Sequence, residues 1–456
     1  MKLDLEKVLV VGAGKSGTAA ARFLAAKGAE VELTDAKGEG ELGAELASLA
    51  GLRVKFSLGA YPSVERGKYS LVVVSPGVPL SVPPVARARE LGIPVVGELE
   101  LAFRFLRAPV VAVTGTNGKT TTTALAGEIF REAGFSVLVA GNIGRPLISG
   151  VERDYDLAVL EVSSFQLETA VEFRPRVGAV LNITPDHLDR HLTMENYVAA
   201  KARLFSRQGP EDYAVLNFDD PRTRDLASRC PGRVHFFSRT AEVPAGTFVR
   251  NGWVTAAGGG KEVPVLPAEE IRIPGAHNLE NALAAAACAR ALGVGEGVIA
   301  GVLRTFAGVP HRLEFVAEIG GVQYVNDSKG TNPDASIKAL EAYRQPVVLI
   351  AGGRSKGGDF GPFLRLARQK VRALVLLGEC AGELETLARR EGVAVILRAG
   401  DLPEAVRLAQ KAARPGDVVL LSPACASWDM FKNYEERGDL FKQAVRELKK
   451  AAPAGG

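Results

Sequence analysis

The sequence predicts an α/β protein with three domains, each built around a largely parallel β-sheet. At 456 residues the chain is about three times as long as a typical domain, so several hydrophobic cores are expected. Short β-branched runs alternate with segments of helical periodicity in three successive sets, which is typical of parallel sheets covered by helices. Pro109 and Pro310 interrupt the pattern near its two boundaries. The predicted domains are therefore 1–107, 108–309 and 310–456.

Composition places the chain among soluble proteins of the cytoplasm. Hydrophobic residues make up 47% and charged residues 24% of the sequence, as in ordinary globular domains. No apolar run of about eighteen residues is present, and the first seven residues are too charged for a signal peptide. The sequence therefore predicts no membrane insertion.

The net charge and the cysteine spacing argue against a nucleic-acid-binding protein and against a protein stabilised by zinc or disulfides. The net charge is only +4, and no basic block is interleaved with aromatics, so no nucleic-acid partner is expected. The cysteines Cys230, Cys288, Cys380 and Cys425 lie far apart without histidine pairing. This spacing argues against a zinc site or a disulfide framework and favours buried thiols.

The first set of elements predicts a Rossmann-like domain. Its predicted strands are Val8 to Val11, Val31 to Thr34 and Leu71 to Val74, and its predicted helices are Thr18 to Lys27 and Gly43 to Ala50. The glycine-rich turn Gly12 to Gly17, which includes Gly14, Lys15 and Ser16, follows the first strand, and Asp35 ends the second. That spacing is a dinucleotide fingerprint, but a UDP-sugar diphosphate suits the same turn equally well, and a plain tight turn is the alternative.

The triplet Ser75, Pro76 and Gly77 ends a later strand of this set. It is expected at the carboxyl edge of the sheet, where ligands bind such folds, although by itself it is also typical of a simple turn.

The second set contains the most specific motif of the chain. Residues 113–121 follow an apolar run and open a helical segment; they include Gly115, Thr116, Asn117, Gly118, Lys119, Thr120 and Thr121. Glycines let backbone amides surround a phosphate, the lysine supplies charge, and the Thr120 hydroxyl is a ligand for Mg²⁺. The sequence therefore predicts a P-loop ATPase-like central domain that binds a nucleoside triphosphate, in a shortened variant of the usual spacing.

Further strands of this set are predicted at Val137 to Ala140, Leu157 to Val162, Val177 to Ile183 and Tyr213 to Phe218, with hairpin turns of an antiparallel edge at Asn251 to Lys261. Glu161 ends one of them, where a carboxylate commonly completes a nucleotide-bound Mg²⁺ site. His187 follows another strand and is expected at a magnesium site, whereas His191 is expected to be structural. Asn278 and Asn281 start an alanine-rich helix and either contact a base or serve only as helix-start residues.

The third set predicts a second Rossmann-like sheet with a pocket at its edge. Its strands are predicted at Gln323 to Asn326, Val347 to Ala351, Ala373 to Leu377, Ala394 to Leu397 and Val418 to Leu421. Polar stretches 326–332, 352–359 and 422–429 each follow a strand. Three such loops at one sheet edge predict a pocket for a small anionic substrate.

Taken together, these motifs resemble the Mur ligase family over nearly the whole chain. The stretches that carry the resemblance, in their expected order, are residues 114–121, 141–144, 161–168, 186–189, 277–281, 310–312, 326–332 and 421–438. The last two are similar to the member that adds D-glutamate. The resemblance implies that the first domain holds the UDP group of UDP-N-acetylmuramoyl-L-alanine, and that ATP, two Mg²⁺ ions and D-glutamate complete the reactants.

The resemblance also implies roles for individual residues. The implied catalytic residues are Lys119, Glu161, His187, Lys201 and Lys329, and the implied metal ligands are Thr120, Glu161, His187 and Lys201, with Lys201 carbamylated. Besides the phosphate loop, ATP contacts are implied for Asn278, Asn281, Arg312, Asp327 and Lys329. The UDP-sugar contacts are Gly14, Lys15, Ser16, Asp35, Ser75, Pro76, Gly77, Asn142, Ser163 and Gln166, and the D-glutamate contacts are His187, Thr331, Lys356, Ser427 and Tyr434.

The predicted reaction is ATP-dependent amide formation through an acyl phosphate, in peptidoglycan precursor synthesis, by a monomer. A related ligase that adds another amino acid, or glutamate to folate, is the alternative that shares the ATP site. An NAD-dependent dehydrogenase would use the first motif but leave the phosphate loop idle. A nucleotide-binding switch would leave the third pocket without a role.

Overall fold

The computed structural model describes residues 4–142, 144–355 and 357–451. They form two compact units: one contains the chain up to Glu270 together with Glu280–Arg304, and the other contains Ile271–Leu279 and the chain from Thr305 onward. The predicted division at residues 107 and 309 stays a prediction. Among the described residues, no helix combines the length and the apolar character that crossing a bilayer requires.

The first sheet has five parallel strands in the order β3-β2-β1-β4-β5. Its strands are β1 Lys7–Val11, β2 Glu30–Asp35, β3 Val54–Leu58, β4 Leu71–Val74 and β5 Val95–Gly97. The covering helices are α1 Lys15–Ala26, α2 Gly43–Ala47, α3 Pro83–Glu90 and α4 Glu98–Phe103. The central strands β1 and β4 are almost wholly buried, as expected for a sheet covered on both faces.

The second sheet has nine strands in the order β14-β13-β12-β11-β10-β9-β6-β8-β7. The strands are β6 Val110–Thr114, β7 Val137–Gly141, β8 Leu157–Glu161, β9 Val177–Val180, β10 Tyr213–Asn217, β11 Arg233–Ser238, β12 Gly246–Arg250, β13 Trp253–Gly258 and β14 Lys261–Pro267. Its helices are α5 Lys119–Glu132, α6 Ser164–Leu167, α7 Leu188–His191, α8 Met194–Ala202, α9 Pro221–Asp225, α10 Ala276–Ala291 and α11 Glu296–Thr305. The pairs β12–β13 and β13–β14 are antiparallel, and Pro264 of β14 pairs with Thr255.

The third sheet has six strands in the order β15-β16-β20-β17-β18-β19, parallel except for the edge pair β15–β16. Its strands are β15 Glu314–Ile319, β16 Val322–Asn326, β17 Val347–Gly352, β18 Val371–Leu377, β19 Ile396–Arg398 and β20 Val418–Leu421. A helix follows each parallel strand: α12 Pro333–Glu341, α13 Gly361–Lys370, α14 Ala381–Glu391, α15 Leu402–Ala412 and α16 Tyr434–Ala451.

The strands named from the sequence all lie in these sheets, with ends shifted by up to three residues. The glycine-rich stretch 251–261 forms the predicted turns of an antiparallel edge. In every sheet the polar loops follow the carboxyl ends of parallel strands. The loops after β1, β4, β6, β8, β9, β16, β17 and β20 therefore contain the side chains considered below.

Candidate active site

The phosphate loop joins β6 to α5, as the sequence predicts. Gly118 precedes the helix with φ 86°, in the left-handed region that favours glycine. A Cβ atom at Gly118 would lie 2.2 Å from Oδ1 of Asn281. The motif therefore requires glycine at this position for two reasons, its backbone angle and the close approach of the Asn281 amide.

Hydrogen bonds hold the loop closed around its own lysine. Nζ of Lys119 donates to the carbonyl oxygens of Gly115 at 2.9 Å and Thr116 at 2.7 Å. The Asn117 N–H donates to Oδ1 of Asn182 at 2.8 Å, and Nδ2 of Asn182 donates back to the Asn117 carbonyl at 3.1 Å. Asn182 was not named from the sequence, because the residues around it form no motif that would indicate a contact with Asn117, 65 residues earlier in the chain.

Glu161 lies beside the start of α5. Its Oε2 accepts a hydrogen bond from the Thr120 hydroxyl at 2.7 Å, and its Oε1 accepts one from Nδ2 of Asn142 at 2.8 Å. Glu161 and Thr120 are both buried. A carboxylate and a hydroxyl are thus paired at the helix N-terminus, where an anion binds favourably.

Lys201 reaches the same loop from α8. It is buried, its Nζ donates to the Gly115 carbonyl at 2.9 Å, and the ammonium lies 4.5 Å from the centre of the Tyr197 ring. Burial, with repulsion from Lys119 as a smaller cause, lowers the pKa of Lys201 well below its usual value. The Tyr197 hydroxyl is 3.2 Å from the hydroxyl of Thr116, so α8 and the phosphate loop are joined at two points.

The two histidines after β9 occupy different environments. His187 is exposed, has φ 53°, and lies edge-on to Phe165 with ring centres 4.9 Å apart. His191 is buried, with Nε2 2.9 Å from the Ser164 hydroxyl and its ring stacked on Phe165. Burial lowers the pKa of His191, so the ring is neutral near pH 7. These contacts fit a structural His191 and an accessible His187.

The glycine-rich turn after β1 is closed by Asp35. The Asp35 carboxylate accepts the N–H of Ala13 at 2.8 Å through Oδ2 and that of Lys37 at 2.9 Å through Oδ1. Gly14 and Lys15 are exposed at the N-terminus of the twelve-residue helix α1. Asp35 thus shapes the turn, and the start of α1 is open to an anion.

A small cleft lies between the loop after β4 and the segment after β8. Its lining includes Ser75, Pro76 and Glu98 of the first set of elements and Gln166 and Arg190 of the second. The Ser75 hydroxyl is tied to the Gly12 carbonyl at 2.9 Å, which connects the cleft to the glycine-rich turn. Gly77 is exposed beside it.

Glu98 in this cleft was missed from the sequence. Its Oε1 accepts the Ile148 N–H at 2.7 Å, while Oε2 is buried without a hydrogen-bond partner in the described structure. Burial raises the pKa of Glu98 to about 7. Near neutral pH this carboxyl is therefore partly protonated, unlike an ordinary surface glutamate.

Ser163 begins α6 as a capping box with Gln166. The Ser163 hydroxyl accepts the Gln166 N–H at 3.2 Å, and Oε1 of Gln166 accepts the Ser163 N–H at 2.9 Å. Both residues therefore have a structural role at the strand end, in addition to the substrate contacts implied for them.

Asp327 directly follows β16, at the carboxyl edge of the third sheet, and is fully buried. Its Oδ2 accepts the Ser422 hydroxyl at 2.8 Å, and Nη1 of Arg312 lies 3.4 Å from Oδ1. Burial raises the pKa of Asp327 despite the nearby guanidinium. The structure thus brings Arg312 and Asp327 together as a pair. Asn278, for which an ATP contact is also implied, donates through Nδ2 to the Pro274 carbonyl at 2.7 Å.

The predicted amino-acid pocket is described only in part. Nζ of Lys329 lies 5.3 Å from the centre of the Tyr434 ring, and Ser427 is buried in the loop after β20. Thr331 directly precedes Asn332, the residue that caps α12. Lys356 lies outside the described residues, as does Ile143 of the 141–144 motif.

Arg437 is a buried arginine that the sequence analysis overlooked. Its guanidinium donates to the Ser328 hydroxyl at 2.9 Å and to the carbonyls of Ser328 at 2.8 Å and Cys425 at 3.2 Å. Burial lowers the pKa of Arg437 to about 10. The loops after β16 and β20 are therefore held by one side chain of α16.

Three known protein families match successive parts of the chain that contain these motifs. Residues 6–97 match the family described as the N-terminal domain of MurD-like Mur ligases, residues 113–289 the Mur ligase middle domain, and residues 311–425 the glutamate ligase domain of Mur ligases. Together these matches cover most of the chain. The chain belongs to the Mur ligase family.

Full-length relatives within this family are similar along the whole chain. A protein of Pelotomaculum thermopropionicum named UDP-N-acetylmuramoylalanine–D-glutamate ligase is 60% identical over 447 residues, which cover 98% of each chain. A protein of the same name from Caldanaerobacter subterraneus is 49% identical and covers 99% of this chain and 100% of the relative. The Mur ligase identity predicted from the sequence, and with it the class of ATP-dependent ligase, is confirmed.

Solved Mur ligases share the fold. The UDP-N-acetylmuramate–alanine ligase of Thermotoga maritima has a TM-score of 0.62 at 20% identity, over 98% of this chain and 99% of that one. The MurF ligase of Thermotoga maritima in complex with ADP has a TM-score of 0.59 at 19% identity, over 98% and 100%. The predicted three-domain α/β fold class is confirmed; the roles of single site residues stay predictions.

Proposed function

We propose that this Mur ligase joins UDP-N-acetylmuramoyl-L-alanine to D-glutamate at the expense of ATP. The substrates come from the names of relatives that match end to end at 46–60% identity. The observation that carries the chemistry is the Thr120–Glu161 pair, joined at 2.7 Å beside the phosphate loop. In the proposed reaction the L-alanyl carboxylate takes the γ-phosphoryl group of ATP, and the amine of D-glutamate displaces phosphate from the acyl phosphate.

Lys119 has the clearest role in this scheme. Its ammonium donates hydrogen bonds to two loop carbonyls, so it is held at the space that the loop backbone encloses. The transferring phosphoryl group lies between a carboxylate and a diphosphate leaving group, all of them anionic. A fixed cation offsets that charge without reorganising during the reaction.

The donor set beside the loop fits Mg²⁺. Thr120 and Glu161 offer a hydroxyl and a carboxylate, the hard oxygen ligands that Mg²⁺ takes together with nucleotide phosphates. When bound, the ion neutralises phosphate charge and orients the transferred group. Asn142 keeps the Glu161 carboxylate in place through its 2.8 Å hydrogen bond.

A second ion at His187 and Lys201 requires a chemical change. An amine is a poor ligand for a hard cation, so unmodified Lys201 does not fit a Mg²⁺ site. As a carbamate, Lys201 would offer two oxygens beside the loop and keep one N–H for the Gly115 carbonyl. We propose this modification, which is tested by comparing activity in bicarbonate-free buffer before and after bicarbonate is restored; Lys201→Arg should not respond.

The acceptor amino acid is proposed to bind at the loops after β16 and β20. Thr331, Ser427 and Tyr434 provide hydroxyls there, and Lys329 supplies a cation suited to a carboxylate. Lys356 is retained in this proposal from the sequence alone. We also propose that the enzyme is a cytoplasmic monomer, which sedimentation of the purified chain would test.

The first experiment is phosphate release from ATP and Mg²⁺ with UDP-N-acetylmuramoyl-L-alanine. D-Glutamate, L-glutamate, meso-diaminopimelate, L-lysine and L-alanine are supplied in turn. Turnover with D-glutamate alone is expected. Turnover with a different amino acid would keep the ligase chemistry and refute the proposed acceptor.

A further inference from the structure

Two cysteines far apart in the sequence touch in the third sheet. The Sγ atoms of Cys380 and Cys425 are 3.1 Å apart, closer than an ordinary contact between two sulfur atoms, and both residues are buried. The sequence analysis expected buried thiols and did not address whether any two of them touch, because these two stand 45 residues apart in the chain. Both are buried as expected, and the structure adds their contact.

The contact is made possible by glycine. Cys380 follows β18 and Cys425 follows β20, and β17 lies between those strands in the sheet. β17 ends at Gly352, and a Cβ atom on the next residue, Gly353, would lie 3.2 Å from Cβ of Cys425. The Cys380 N–H donates to the Gly353 carbonyl at 2.9 Å. The two thiols therefore meet across a segment of backbone that has no side chains.

The two thiols have unequal surroundings. Cys380 is the N-cap residue of the eleven-residue helix α14, a position that stabilises a thiolate. The hydrogen bond between the two thiols lowers the pKa of Cys380 against the opposing effects of burial, Glu383 and Asp429, and the same bond raises the pKa of Cys425. Cys380 retains 6% exposure and Cys425 none, so Cys380 is the sulfur that an oxidant meets first.

We propose that Cys380 and Cys425 are a redox modification site that forms a reversible disulfide with a peroxide oxidant. The Cys380 thiolate attacks a peroxide oxygen and, with one proton, yields a sulfenic acid and water as the O–O bond breaks. The Cys425 thiol then displaces the sulfenic oxygen as a second water and forms the S–S bond. The two sulfurs together lose two electrons, which reduce one hydrogen peroxide to two waters.

The disulfide would act on the neighbouring loop. Forming the bond brings the sulfurs from 3.1 Å to about 2.05 Å. The Cys425 carbonyl accepts from Arg437 at 3.2 Å, and Ala426 exchanges two backbone hydrogen bonds with Arg354 at 2.9 Å. Ser427 is the next residue along. The two residues must together absorb an approach of about 1 Å, which is large compared with the roughly 0.5 Å tolerance of a preorganised site, so the disulfide should weaken acceptor binding; this consequence rests on the proposed function.

The test treats the reduced full-length enzyme with hydrogen peroxide and then maps its peptides by mass spectrometry. The KM for D-glutamate is measured on the same samples, before oxidation, after it, and after dithiothreitol. Cys380→Ser removes the first sulfur, and Cys425→Ala removes the second in case one variant folds poorly. Cys230→Ser is the matched control, because it removes a partly buried thiol of the other compact unit.

The expected result is a linked peptide containing Cys380 and Cys425, with KM raised about tenfold or more and restored by dithiothreitol. Both effects should be absent from Cys380→Ser and Cys425→Ala and present in Cys230→Ser. A folded enzyme that forms no such linkage would overturn the proposal, as would a linkage that leaves KM unchanged. If the proposed acceptor is wrong, the reduced enzyme already shows no turnover with D-glutamate, while the linked peptide still reports on the cysteines.

Discussion

Replacement of Gly118 by alanine tests whether the phosphate loop binds ATP in the conformation described. Gly118 has φ 86°, and an added Cβ would lie 2.2 Å from Oδ1 of Asn281. That oxygen also accepts the Thr122 hydroxyl at 3.2 Å. Alanine at this position must therefore keep an unfavourable backbone angle and displace an amide that has a partner of its own.

The magnitude follows from these two penalties. A left-handed conformation costs a non-glycine residue about 1–2 kcal/mol, and the hydrogen bond lost by Thr122 is worth about 0.5–1.5 kcal/mol. The loop can relieve this strain by leaving the conformation that encloses phosphate. We therefore expect Gly118→Ala to bind ATP about tenfold to 300-fold more weakly, from about 1.5–3.5 kcal/mol of strain.

The assay is calorimetric titration of ATP and Mg²⁺ into the wild type and two variants. Gly134→Ala is the control, because Gly134 follows the other end of α5 with φ 91° and no atom within 4 Å of an added Cβ. It shares the backbone penalty without the clash, so its ATP affinity should stay near that of the wild type. Affinity of Gly118→Ala within twofold of the wild type, or an equal loss in Gly134→Ala, would refute the reasoning.

Three further results are expected. Lys119→Ala should lower phosphate release by roughly 10²- to 10³-fold, the usual loss for a preorganised electrostatic group, and near-normal turnover would contradict the assignment. Burial raises the pKa of Glu98 from 4.5 to about 7, so the folded chain holds a proton that the unfolded chain has released, and stability falls as pH rises through that window. Glu98→Gln should remove this slope and gain up to about 3 kcal/mol over the wild type above pH 7, which urea unfolding at pH 5 and pH 8 would detect as a pH-dependent difference. Arg437→Lys should lose part of the set of hydrogen bonds to Ser328 and Cys425, because a single ammonium cannot reproduce the planar guanidinium fork; faster hydrogen exchange in residues 422–427 is expected, and unchanged exchange would argue against a structural arginine.

The sequence predicted the parts of the fold that depend on local pattern. Buried parallel strands such as β4 are continuous apolar runs, and the phosphate loop combines glycine, lysine and threonine at a strand-to-helix junction. β3 was not named, because Val54–Leu58 is a half-exposed edge strand with little apolar signal. β15 was missed for a similar reason, since Phe315 is exposed and Glu314 and Glu318 interrupt its short apolar run.

Contacts between distant segments were beyond the sequence argument. Asn182 clamps the phosphate loop and Arg437 joins two strand-end loops, but neither lies in a motif that requires such a partner. The pairing of Cys380 with Cys425 depends on strand order and on Gly353 between them. A single sequence does not show directly which distant side chains are brought into contact by the order of strands in a sheet.

The last strand of the nine-stranded sheet has a consequence for self-association. An unprotected sheet edge offers a row of N–H and C=O groups on which a strand of another molecule can add. β14 contains Pro264 and Pro267, which have no N–H to donate, and exposed Lys261 and Glu262 lie at its start. An incoming strand would find gaps in its hydrogen-bond ladder and would have to desolvate charged side chains. This border therefore limits strand-by-strand growth of the sheet into aggregates when the protein is concentrated.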